Sequence, residues 1–247
     1  MKYLSSLSPA EILLIKDGEA VPFRELLKYT FIDLQVRCVI ESIEITRQNH
    51  PSEPVRVQQY IIIGNQFYDK RLKLHETIFA RIFYRRDDIQ VLFRNFVRMA
   101  YQNSLGFKAY RQSVILSLRE QGLLNDGFFS RNFMSDKPKL TELRSEIEQE
   151  MLAFVPYFNH VLANESYKAP DIIRKLGGNI FLFDFDLSQL GSVIQEFPDI
   201  EKTSVDFDAH FSSGCGGGSG CGGDSGCGGD GGGCGGGGCG GCGGGCS

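Results

Sequence analysis

Seven thiols dominate the last stretch of this sequence. Cys215, Cys221, Cys227, Cys234, Cys239, Cys242 and Cys246 stand between Gly214 and Ser247, among 22 glycines, three serines and two aspartates. Five, five, six, four, two and three residues separate them, which rules out a strict repeat. Thiolates are ligands for soft or borderline ions, above all Zn²⁺ and Cu(I). Cys239-Gly-Gly-Cys242 is a CxxC pair, Cys246 follows three residues later, and Cys234 could complete four sulfurs. These four cysteines are the candidate metal ligands. Glycine has nothing to bury and loses the most entropy on ordering, so the stretch is expected to be a flexible coil spanning roughly 30 Å. An odd number of thiols also prevents complete internal pairing.

The residue before each of the seven cysteines is glycine, as in Gly214-Cys215 and Gly241-Cys242. A thiol attacking the preceding carbonyl meets no side chain there. On these residues the tail resembles the glycine-, serine- and cysteine-rich core of microcin-B-type peptides, whose Gly-Cys and Gly-Ser steps become thiazoles and oxazoles. That resemblance implies modification, with Cys215, Cys221 and Cys227 as candidates. The LSPAEILLIKDG start and the tail together resemble a group of uncharacterised bacterial proteins with a helical body and a terminal cysteine–glycine segment, some of them membrane-bound. Acylation of the tail lacks the apolar or basic flanks that assist membrane contact.

Outside the tail the chain holds one cysteine, Cys38, with 19 phenylalanines and no tryptophan. Cys38 falls on the apolar side of a helical pattern beside Leu34, where an inert, buried thiol is expected. The four histidines, His50, His75, His160 and His210, show neither HxxxH nor HExxH spacing. No glycine loop of the body fits a phosphate-binding motif. VDFDAH (205–210) would put Asp206, Asp208 and His210 on one side of an extended segment, a trio that could hold a hard cation but is more simply solvated.

One charge feature stands out. Arg81, Arg85, Arg86, Arg94, Arg98, Lys108, Arg111 and Arg119 lie close in sequence, with Asp87 and Asp88 among them. Arg81/Arg85 and Arg94/Arg98 have i,i+4 spacing and become the anion-binding candidates. The plainer expectation is that these arginines pair with the acidic stretch 142–150. A formal net charge of −4 gives no general case for nucleic acid or an anionic membrane.

The elements that must carry these residues are mostly helices. Ser8-Pro9-Ala10-Glu11 is a capping box with proline at the first helical position, and Asp17-Gly18 ends that helix. A second helix runs from Pro22 toward Cys38, with a break expected near residues 28–30. VIESIEIT (39–46) and VRVQQYIIIG (55–64) read as strands of a hairpin. Helix, helix, hairpin is the order of a winged helix, although the recognition-helix position, LLKYTFIDLQVRC, is apolar. Further helices are expected at 74–84, 88–103, 107–121, 139–162 with Pro156 inside, and 170–176. NIFLFDFDL reads as a strand and SQLGSVIQEF as a weak last helix.

The fold class is therefore mainly α with one or two small β-hairpins (α+β). Residues 1–70 are expected to form a winged-helix-like part, 71–200 a helix-rich part packed on it, 201–213 a linker and 214–247 a disordered tail. No signal peptide or membrane span is evident, so a reducing cytoplasmic location is expected, where thiols favour metal or modification over disulfides. The reading that follows is a non-enzymatic binding or scaffold protein, bacterial, with a protein partner and nucleic acid disfavoured. Its alternatives are a precursor with a modified tail and a metal- or redox-sensing regulator.

Overall fold

The computed structural model describes residues 1–48, 55–124, 137–183 and 200–214. Eight helices and three short strands make up these segments. Helix α1 (Pro9–Asp17) starts from Ser8 with Pro9 in its first turn and stops at Gly18, whose φ is +59°. Helix α2 (Phe23–Val36) runs unbroken through residues 28–30. Ten of its 14 residues are buried. Helix α2 is therefore a core helix.

Strands β1 (Ile40–Arg47) and β2 (Arg56–Ile63) pair antiparallel, from Ile40 opposite Ile63 to Arg47 opposite Arg56. A two-residue strand β3 (Val91–Leu92) joins the other edge of β2 and completes a three-stranded sheet. The turn from α2 into β1 is tightly clamped. Cys38 adopts a left-handed φ of +55°, unusual for a residue with a side chain. Its carbonyl accepts from Gln66 N–H at 2.9 Å, while Val39 O accepts from Gly64 N–H at 2.8 Å. A Cβ at Gly64 would lie 2.2 Å from Cys38 O, so only glycine fits.

The helices beyond the sheet depart from periodicity in instructive places. The expected helix over 74–84 is a single turn, α3 (Thr77–Ala80). Ile78, Phe79, Ala80, Ile82 and Phe83 are all buried, and a one-faced helix cannot bury so dense a run. The expected helix at 88 starts at Phe93 instead, because Val91 and Leu92 are drawn into the sheet: α4 is Phe93–Asn103. Helix α5 (Phe107–Glu120) follows Gly106. Helix α6 (Lys137–Asn164) continues through Pro156. Proline cannot donate to the carbonyl four residues earlier. Here that is Leu152, a residue 75 % exposed.

Helix α7 (Ala169–Leu176) gives way to a 3₁₀ segment, Gly177–Leu182, where a strand was expected. Asn179 holds this segment in place by donating through Nδ2 to Leu4 O and Leu7 O at 2.8 and 2.6 Å. The rest of NIFLFDFDL, and SQLGSVIQEF, lie outside the described residues. The expected linker 201–213 is helical, within α8 (Ile200–Gly214). Its buried Phe207 reaches Phe31 of α2, which also meets Phe79, Phe93 and Phe96 at ring-centroid distances of 5.4–6.2 Å. Met1–Gly216 form one compact unit distinct from Gly217–Ser247, and Cys215 onward is outside the described residues. No helix among the described residues is long and apolar enough to cross a membrane.

The clamp gives a paired prediction for chemical denaturation. Gly64→Ala should cost about 3 kcal/mol, since the new methyl meets backbone that cannot yield. Cys38→Gly should stabilise by about 1 kcal/mol by relieving the left-handed conformation. Equal effects of the two substitutions would contradict the clamp.

Candidate functional site

Most ionisable groups of this fold lie on the surface, with one concentrated exception. The first turn of α1, the Lys73–Glu76 turn, the last turn of α2, the end of α5 and the 3₁₀ segment converge on a buried polar cluster. At its centre is Glu11, fully buried. One carboxylate oxygen accepts from Ser117 Oγ and Gln121 Nε2, each at 2.7 Å. The other accepts from Ser8 N–H at 2.7 Å and from the Lys73 ammonium. The capping glutamate of α1 therefore ties that helix to α5 and to the Lys73 turn. Burial pushes the Glu11 carboxyl up, but the facing His75 and Lys73, with the Ser117 hydroxyl, outweigh it and hold it below the ordinary value.

A second carboxylate group adjoins it. Arg37 spans Asp33 and Glu76, with Nε 2.9 Å from Asp33 Oδ2 and Nη2 2.8 Å from Glu76 Oε1. Asp33 Oδ1 accepts from Gly178 N–H at 2.7 Å, and Glu76 Oε2 accepts from Lys73 N–H at 2.9 Å. Burial, aided by Glu76, moves the Asp33 carboxyl up, with Arg37 and the Gly178 N–H opposing. Any residue other than glycine at 178 would put its Cβ 2.7 Å from Asp33 Cα. The 3₁₀ segment can press on α2 only through that glycine.

His75 completes the cluster. Its Nε2 lies 3.0 Å from Ser8 Oγ, and its ring meets the buried Tyr110 edge-on at 6.3 Å. Burial pushes the imidazole down, against the pull of Glu76 and Glu11. A serine hydrogen-bonded to a histidine is the start of a nucleophilic triad. The orienting carboxylate is missing: Nδ1 has no hydrogen-bond partner among the described residues. Ser8 and His75 are 5 % and 0 % exposed, which suits a structural bond between α1 and the Lys73 turn.

Above the cluster opens a small cleft of about 100 Å³. Its walls are the Ser5–Ser8 loop, Arg37, Lys73, Lys175 and Gly177, with Asp33 and Glu76 at its base and Arg174 at the rim. The sequence contained a cue to this place. Lys73-Leu74-His75-Glu76 sets charged and polar side chains just before an apolar run, and Glu11 is a capping residue with no solvent-facing role.

The residues singled out by sequence fare differently. Cys215, Cys221, Cys227, Cys234, Cys239, Cys242 and Cys246 lie outside the described residues, as does His50. Cys38 is not on the face of α2 but beyond its end; burial, with Glu41 nearby, raises its thiol pKa and makes it a poor nucleophile. The VDFDAH trio is helical, not extended. Asp208 turns to Arg24 and Lys28, at 3.2 and 3.4 Å, and His210 packs edge-on against Phe93. No group of three or more His, Cys, Asp or Glu is placed to hold a metal among the described residues.

Among the described residues, the acidic stretch of α6 is seen paired with groups other than the arginines singled out by sequence. Glu146 and Glu150 instead accept from the Tyr3 hydroxyl and the Tyr3 N–H, and Glu148 from Arg144. Arg111 reaches Glu19 at 2.9 Å. Arg94 and Arg98 share the exposed side of α4, whereas Arg81 and Arg85 sit in turns after α3 and do not share a helix face.

The buried histidine makes stability pH-dependent in a definite sense. With its folded pKa below the ordinary 6.5, the unfolded chain binds the extra proton, so the contribution is complete above pH 6.5 and is lost as pH falls through the folded value. Glu11 adds a loss of the same sign below about 4.5. Thermal melts should show stability falling between pH 7 and 5, and His75→Gln should flatten that slope. An unchanged slope in the variant would sink this assignment.

No protein-family model, no curated protein and no solved structure matches this chain.

Proposed function

We propose that this protein is a non-enzymatic binding protein whose folded body holds the root of a thiol-rich tail, and that Cys234, Cys239, Cys242 and Cys246 take one soft or borderline ion, Zn²⁺ or Cu(I). The observation that supports this reading is the anchoring of α8, the helix that leads into the tail sequence. Phe207 stacks at 6.3 Å on Phe211, and these two meet Phe31, Phe93, Phe23 and Tyr101. On the same helix Asp208 bridges Arg24 and Lys28. A tail that needed no fixed origin would not require its leading helix to be packed into the core of the body.

Glycine supplies reach and access, and cysteine supplies the ligand. Thiolates must lose their protons to bind, so affinity should rise with pH. A protein partner is supported by an open apolar groove of about 600 Å³ formed by Met151, Leu152, Val155 and Pro156 of α6 with Leu182 and Phe183. In a reducing cytoplasm such a protein would serve as a metal-handling or metal-presenting scaffold.

Mass spectrometry of the reduced, full-length protein tests the reading. With one equivalent of Zn²⁺, native spectra should show one bound ion that denaturation or a chelator removes. Replacing Cys234, Cys239, Cys242 and Cys246 together by serine should abolish it without shifting the melting temperature of the body. Absence of the adduct, or its survival in the variant, would overturn the metal assignment. Protein from its native host with a denatured mass short of one water and two hydrogens per cysteine would support the modified precursor instead.

A further inference from the structure

The cleft above the Glu11 cluster has an unbalanced hydrogen-bond inventory, and the imbalance points to a ligand. Its carboxylates are ion-paired or hydrogen-bonded from inside. Both oxygens of Glu11 are occupied by Ser117, Gln121, Ser8 and Lys73. Those of Glu76 face Arg37 and the Lys73 N–H, and those of Asp33 face Arg37 and the Gly178 N–H.

The donors are not exhausted. Arg37 turns Nε to Asp33 and Nη2 to Glu76 as ion pairs, and neither nitrogen makes a hydrogen bond among the described residues. Lys73 Nζ donates to Ser6 O at 3.0 Å and to Glu11, which leaves its third N–H. Lys175 lines the cleft, is exposed, and has no ion-pair partner among the described residues. A guanidinium edge and two ammonium groups around one small opening match the oxygens of a phosphate group, which accepts several charge-assisted hydrogen bonds at once.

Size narrows the ligand further. The cleft is small, about 100 Å³, and suits one phosphate group. Gly177 helps to keep the space open: its φ is +59°, and a Cβ there would lie 2.6 Å from Asp33 Oδ1.

We infer that the cleft between the Ser5–Ser8 loop, Arg37, Lys73 and Lys175 is a binding site for a single phosphate group, either inorganic phosphate or a terminal phosphomonoester that projects into it. Arg37 and Lys73 are oriented in advance by the carboxylates behind them, and Lys175 closes on the anion from the rim. The site is independent of the metal chemistry of the tail.

Titration of the reduced full-length protein with inorganic phosphate at constant ionic strength, followed by calorimetry, tests this. Saturable one-to-one binding is expected, weakened at least tenfold by Lys175→Glu. That substitution lies outside the buried network, so its melting temperature should stay at the wild-type value. Lys175→Arg should retain binding. Co-sedimentation with vesicles of phosphatidylcholine containing phosphatidate forms the second arm. Binding of inorganic phosphate supports the site with a free anion as ligand. Lys175-dependent binding to phosphatidate vesicles alone supports it with a lipid headgroup as source. Failure of both arms, or binding indifferent to Lys175→Glu, would overturn the inference.

Discussion

A carboxylate kept ionised in an apolar interior must have every lone pair answered, and in this fold Glu11 is the residue that imposes the condition. Water around an ionised group can be replaced only by several donors placed together, because a half-satisfied buried charge costs several kcal/mol. The Glu11 oxygens receive four donors from α1, α5 and the Lys73 turn. Those segments are separated by up to 110 residues in the chain. Their relative placement is therefore fixed by one side chain more sharply than nonspecific apolar packing would fix it. Truncating that side chain would take from the half-buried Lys73 its ion-pair partner, and the loss would spread through Ser8 and His75.

Around that polar hub the fold is held by aromatic packing. Phe31 sits in the middle of α2 and gathers rings from α3, α4 and α8. The two devices divide the labour. The rings supply apolar burial without directional demands, and the Glu11, Asp33 and Glu76 network selects one arrangement of the elements. The cleft belongs to the second device, because the same ion pairs that orient the core leave Arg37 and Lys73 facing outward.

Local signals in the sequence announced the elements whose causes are local. Ser8-Pro9-Ala10-Glu11 and Gly18 bounded α1, and the alternating run from Ile40 met its partner with the strand beginning near Val55, as expected. The mainly helical class with a small antiparallel sheet follows from such cues. Elsewhere the deciding contact came from far along the chain. Residues 78–83 carry apolar spacing that reads as a helix, yet burial on all sides reduces it to one turn. Asn179 reads as the start of a strand, yet Leu4 and Leu7 hold it in a 3₁₀ segment. The candidate cleft was hidden for the same reason. Glu11 advertised only a helix start, His75 matched no motif, and Asp33 and Gly178, 145 positions apart, gave no hint that they touch.

The long reach of the first residues has a consequence for biosynthesis. Tyr3 N–H binds Glu150, and the carbonyls of Leu4 and Leu7 wait for Asn179, 175 and 172 residues away. On a ribosome, the opening segment emerges long before its partners have been made. Leu4, Leu7, Ile12 and Leu14, all buried in the finished fold, must stay in water or under a chaperone while most of the body is translated. The early helices can form, but the interface that protects them closes only after the segment around Asn179 has left the exit tunnel. The contacts around Asn179 can therefore form only late in the synthesis of this chain.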